Sequence, residues 1–176
     1  MTILIITVII IAIPLILAAT LSKDYAIERE VIINKPVNEV FNYIKLIENS
    51  ENWSKWVMTD PNSKKTYKGT DGTVGFIYEW DSENKNVGQG EQEITAIKEG
   101  ERVDFELRFI KPFENKSTAA ITTQSVGANQ TKVKWYFRGE RNYISKLMYL
   151  LLRLEKMLGN DMVISLNTMK GVLEKA

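Results

Sequence analysis

The chain has 176 residues, enough for one domain and a short appendage, and its 23 basic and 22 acidic side chains nearly cancel. Such a balance provides no field to recruit nucleic acid, so no nucleic-acid partner is expected. Neither cysteine nor histidine occurs; this removes disulfides, thiolate nucleophiles, Cys/His metal sites and Ser-His-Asp chemistry, so no metal and no cofactor are expected.

Ile3 to Leu21 runs apolar without a charge. At ~1.5 Å per residue the run covers most of a ~30 Å hydrocarbon core, and Pro14 adds a kink that membrane helices tolerate. Residues 1–22 are therefore expected to be a single-pass transmembrane anchor, and residues 23–176 a separate domain. A cleaved export signal is the alternative, because Leu17-Ala18-Ala19-Thr20 could serve as a small-residue cleavage site. Against it, no Lys or Arg precedes the run, and the run is longer than an ordinary h-region. Lys23, Arg29 and Lys35 follow the span, which by the positive-inside rule places the domain in the cytoplasm.

Tyr25 to Asn34 alternates as a first strand, and Lys35-Pro36 ends it. Val37, Val40, Phe41 and Ile44 recur at three and four, predicting a helix to about Ile47 that opens at Pro36. Trp53 to Met58 predicts a second short helix or turn before Asp60-Pro61. Six strand-like runs follow: Ser63–Lys68, Thr73–Trp80, Val87–Lys98, Arg102–Ile110, Asn115–Val126 and Lys132–Arg138. Short turn-rich connections, Asp71-Gly72 among them, predict antiparallel hairpins. Gly88 and Gly90 within a strand predict a bulge rather than a dinucleotide loop, since no third glycine and no helix follow.

At the end of the chain Leu158, Met162, Leu166, Met169 and Leu173 share one helical face. A single helix from Ser145 to Lys175 would be about 46 Å long, more than a globule of this size accommodates. Gly159-Asn160-Asp161 offers a C-terminal glycine and a new N-cap, so a break is expected there. The segment before it, Ile144–Leu158, is apolar nearly all round. It either closes one end of the core, lids a cavity mouth or rests on a bilayer.

The order of one strand, two short helices, six strands and a final helix resembles the helix-grip superfamily (START-like, Bet v 1-like), and within it the polyketide cyclase/dehydrase-like branch. The residues carrying the resemblance are Lys35-Pro36 with Glu39-Val40-Phe41, Trp53 and Trp56, Asp60-Pro61, the Gly69 to Gly75 turn, Trp80, Gly88 with Gly90, and Leu107, Phe109 and Pro112. It covers about residues 25 to 175. The resemblance implies an α+β fold: a curved antiparallel sheet of about seven strands wrapped around a long C-terminal helix, with a cavity between them. It also implies an apolar small molecule or lipid as partner.

Candidate cavity-lining residues are Trp53, Trp56, Phe76, Tyr78, Trp80, Gln92, Phe105, Leu107, Phe109, Trp135, Met162, Leu166 and Met169. The aromatics and methionines supply apolar area and adaptable shape, although ordinary core packing accounts for them as well. Gln92 is the polar candidate within that set. Glu79, Glu91 and Glu93 fall on the opposite strand face, where a solvated ladder is the simpler reading and acid/base work the sharper one. The functional expectation is a membrane-tethered binding domain. The alternatives are a cyclase- or dehydratase-like enzyme, with a Tyr, Glu or Gln assisting, and a protein-interaction module of the chaperone-cofactor kind.

Overall fold

The computed structural model describes residues 2–175; within the first helix it describes the side chains of Ile6, Ile10 and residues from 12 onward. That helix, α1, spans Thr2–Thr20 and contains Pro14. Strand β1 (Asp24–Ile33) leads to α2 (Val37–Ile44), a 3-10 turn (Ile47–Asn52) and α3 (Lys55–Thr59). Strands β2 (Lys64–Lys68), β3 (Ile77–Asp81), β4 (Gln89–Lys98), β5 (Arg102–Lys111), β6 (Asn115–Gly127) and β7 (Gln130–Glu140) follow, then α4 (Tyr143–Leu152) and α5 (Leu154–Lys175). Among the described residues the strands form one seven-stranded sheet in the order β1-β7-β6-β5-β4-β3-β2, every pair antiparallel. The expected α+β arrangement, an antiparallel sheet holding a long C-terminal helix, is what the chain adopts.

Alternation along each strand decides which face meets α5. On β1, Tyr25, Ile27, Arg29, Val31 and Ile33 turn inward, while Glu28, Glu30 and Ile32 are exposed. On β7 the inward set is Thr131, Val133, Trp135 and Phe137. Helix α5 returns Met162, Ser165, Leu166, Met169 and Leu173 to this face, all buried. Its C-terminal half is tied to the end of β1: Lys170 Nζ donates to the Ile32 carbonyl at 2.7 Å, and the Asn34 N–H donates to Glu174 at 2.6 Å. Helix α2 presents Val40, Phe41 and Ile44 to the same end of the sheet. The Asp71 carboxylate accepts the Ile47 and Glu48 N–H groups at 2.9 and 3.0 Å, holding the start of the 3-10 turn against the β2–β3 connection.

The structure corrects two sequence-based expectations. The break before the gripped helix lies at Arg153, in the left-handed region at φ 50°, and not at Gly159. Gly159 continues the helix because β1 passes close to it: a Cβ there would come within 2.1 Å of the Arg29 guanidinium. The strand expected from Thr73 begins only at Ile77, since residues 69–76 form a longer connection with Gly69, Gly72 and Gly75 at positive φ. For the expected anchor, some of α1's side chains lie outside the described ones; among the described residues no helix is long and apolar enough to cross a membrane. The bulge expected at the paired glycines is present, with a register shift between Gln89 and Gly90.

Candidate functional site

The concave face is not uniformly filled. At the end covered by α2 and the C-terminal half of α5, Ile33, Ile94, Val103, Ile121 and Val133 are buried to 3% exposure or less. At the opposite end, where β1 starts and β5 ends, the inward-facing Gln92, Leu107, Phe109 and Trp80 are only partly buried. These four lie in adjacent rows: Gln92 opposes Leu107 and Tyr78, while Gly90 opposes Phe109 and Trp80. Gly90 makes room for the Trp80 ring at that corner. A Cβ on it would meet the Trp80 ring at 2.6 Å and the Arg108 carbonyl at 2.7 Å, so only glycine lets the indole lie across β4. There Trp80 meets Phe109 edge-to-face, ring centres 6.0 Å apart.

The thirteen expected lining residues therefore divide. Phe76, Phe105, Met162, Leu166 and Met169 belong to the packed core. Trp53 and Trp56 both approach Trp135 edge-on, at 5.4 and 5.3 Å between centres, and Trp53 and Trp135 are buried. Tyr78 stacks on Trp80, 5.8 Å between centres, and burial pushes its hydroxyl pKa up to about 12. Trp56 is partly buried beside Trp135, while partly buried Trp80, Gln92, Leu107 and Phe109 make up the less-filled part of the face. Within the core the Trp53 indole N–H is buried without a hydrogen-bond acceptor among the described residues. An unmet buried donor costs about 1–3 kcal/mol.

Sequence reasoning missed a polar cluster at the edge of this face. Tyr67, inward on β2, donates its hydroxyl to Glu51 at 2.6 Å, and Lys65 Nζ reaches the same carboxylate oxygen at 2.9 Å. Both donors hold the Glu51 carboxyl below its usual range, Tyr67 foremost. Burial and then the neighbouring Glu51 raise the Tyr67 hydroxyl, so its proton stays in place. Alternation could have placed Lys65 and Tyr67 on one face, but Glu51 comes from a 3-10 turn that no periodicity marks.

The carboxylates of the other face are engaged. Arg108 binds Glu91, Glu106 and, at 2.8 Å, Glu93, while Lys68 pairs with Glu79. These partners, Glu91 first, raise the Arg108 pKa further above its ordinary value. Two surface hollows are also present. One of about 190 Å³ lies beside Glu79, Asp81 and Glu91 and touches Trp80; the other, about 900 Å³ and open, lies at the starts of β1 and β6 and the end of β7. Of the thirteen expected residues only Trp80 borders either of them.

No family model and no curated protein matches the chain. Solved structures do. A Thermobifida fusca protein determined by solution NMR is 15% identical, with 85% of this chain and 93% of that one aligned at a TM-score of 0.64. Norcoclaurine synthase from Thalictrum flavum, in complex with dopamine and hydroxybenzaldehyde, is 10% identical over 91% of each chain at 0.62. The Aha1 dimer from Colwellia psychrerythraea is 13% identical, covering 85% of this chain and 96% of that one, at 0.58. At such identities the likeness defines the helix-grip fold, which hosts more than one function.

Proposed function

We propose that the chain is a membrane-tethered binding domain that holds an apolar small molecule or lipid on the concave face of its sheet. The observation that carries this reading is the burial gradient. Trp80, Leu107 and Phe109 offer aromatic and aliphatic area at the less-packed end, with Gln92 as an orienting polar group. That norcoclaurine synthase holds two small aromatic molecules supports the same use of the fold. Tethering is assigned to residues 3–21, whose sequence carries no charge, with the domain on the cytoplasmic side.

Native mass spectrometry of the full chain, purified from its host and released from detergent, tests the binding reading. An apolar adduct that is lost in Leu107→Trp supports it. No adduct, together with no enhancement of a hydrophobic fluorescent probe, would refute it. Labelling a cysteine placed at Lys64 in intact cells tests the orientation; modification by an impermeant reagent would contradict a cytoplasmic domain.

The Glu51–Tyr67–Lys65 cluster favours a second reading, an enzyme of the cyclase or dehydratase kind in which the neutral Tyr67 hydroxyl orients a bound chain by hydrogen bonding. Turnover of a linear polyketide thioester mimic that persists unchanged in Tyr67→Phe would dismiss that role.

A further inference from the structure

Helix α4 has no buried residue, yet eight of its ten side chains are apolar or aromatic. Ile144, Leu151 and Leu152 are 70%, 60% and 58% exposed. The helix packs against α1, with the Tyr143 hydroxyl donating to the Leu15 carbonyl at 2.9 Å. The described side chains of α1 continue the same surface, with Ile6, Ile10, Ile13 and Ile16 all exposed. Surfaces that dock a protein are one-sided and rimmed by polar groups. An element that is apolar around its circumference, and whose Ile144, Leu151 and Leu152 stay exposed although α1 packs on it, is matched instead to lipid. At ten residues α4 is about 15 Å long, half a hydrocarbon core, so it cannot span and must lie at the interface. Lys146, Arg153 and Lys156 against the single Glu155 give this stretch the basic balance that anionic headgroups attract.

The joint between α4 and the sheet is packed around Arg141. Arg141 is buried between the rings of Tyr25 and Tyr149, its guanidinium carbon 5.1 and 4.8 Å from their centres, and its backbone N–H donates to the Lys23 carbonyl at 2.8 Å. Tyr25 heads the inner row that continues through Gly139, Ser117, Leu107 and Gln92. The less-filled end of the concave face is thus the end that α1 and α4 occupy. Phe113, 69% exposed at the tip between β5 and β6, projects from this end as well.

We infer that α4 beds into the bilayer interface beside α1 and turns the less-filled end of the sheet toward the membrane, so that the ligand is a membrane-resident lipid or lipid-soluble molecule entering from the bilayer. This rests on the tethered-binding reading and names where its ligand comes from.

The chain has no native cysteine, so single labels can be placed at will. Ile144→Cys, Leu151→Cys, Phe113→Cys, Ile10→Cys and Thr95→Cys would each carry an environment-sensitive fluorophore in the full chain. The proteins are reconstituted into vesicles of phosphatidylcholine and phosphatidylglycerol, with or without brominated acyl chains. The labelled side chains on α4 are already exposed, so a label there removes no buried contact. The expected result is a severalfold loss of iodide quenching and a gain of bromolipid quenching at positions 144, 151 and 113, with position 95 quenched by iodide only. If position 10 is lipid-quenched while 144 and 151 remain open to iodide, the anchor stands and this inference falls. If position 10 is also open to iodide, the tether falls with it. If 144 and 151 escape both quenchers, a second copy of the chain covers α4, and the inference is again overturned.

Discussion

Single atoms decide the shape of the less-filled corner. Gly90 is fixed by the Trp80 ring on one side and the Arg108 carbonyl on the other, and the second of these is backbone that cannot swing away. Gly90→Ala should therefore cost about 1–3 kcal/mol, the range for overpacking a well-filled site, read as a lower denaturation midpoint with an unchanged denaturant slope. Glu51 gives a pH signature. Its carboxyl sits below the usual range because Tyr67 and Lys65 donate to it. A group whose folded pKa is depressed stabilises fully above its unfolded value, roughly 4.3 for Glu, and that contribution is lost as pH falls through the folded pKa. Tyr67→Phe removes the main donor, so the variant should trail the parent at neutral pH and approach it in acid. A stability gap that does not change between neutral and acid would show that the hydroxyl does not act through this carboxylate.

At the scale of elements, the junction of α4 and α5 stores a local cost. Arg153 takes the left-handed conformation that glycine usually occupies after a helix, and its N–H still closes onto the Tyr149 carbonyl. Arg153→Gly should raise stability by up to ~1 kcal/mol, and Arg153→Val should lower it; thermal unfolding of the two variants checks the pair. The position of this break shows where sequence reasoning reached its end. The apolar spacing of Leu158, Met162, Leu166, Met169 and Leu173 located the gripped helix, and strand alternation placed Phe105, Leu107 and Phe109 on one face. Gly159 was misleading because a glycine can stop a helix or admit a neighbour, and only the register of β1 reveals that Arg29 lies against it. The split of the candidate site into packed core and partly buried rim was likewise hidden. Burial varies along the strands, whereas alternation reports only which face a residue shares.

For the whole molecule, the order of strands in space differs from their order in the chain in one respect. Every strand from β2 to β7 lies beside its sequence neighbour, but β1 pairs only with β7. During synthesis β1 emerges directly after α1 and then has no partner until the last strand is made. Hairpins β2 to β7 can zip one after another, because each closes a short loop, while the β1–β7 pairing carries the largest loop-closure cost in the sheet. Helix α5, which packs along β1, is later still. A nascent chain ending before Gln130 should leave β1 open to protease while β3 to β5 are already protected; protection of β1 at that length would contradict the scheme. If α1 holds the first residues at a bilayer, the waiting strand is kept near that surface and away from other nascent chains. The late pairing then doubles as a checkpoint: the bowl around α5 is complete only once β7 and α5 have been translated, so a product that stops before them presents an unpaired edge rather than a finished binding face.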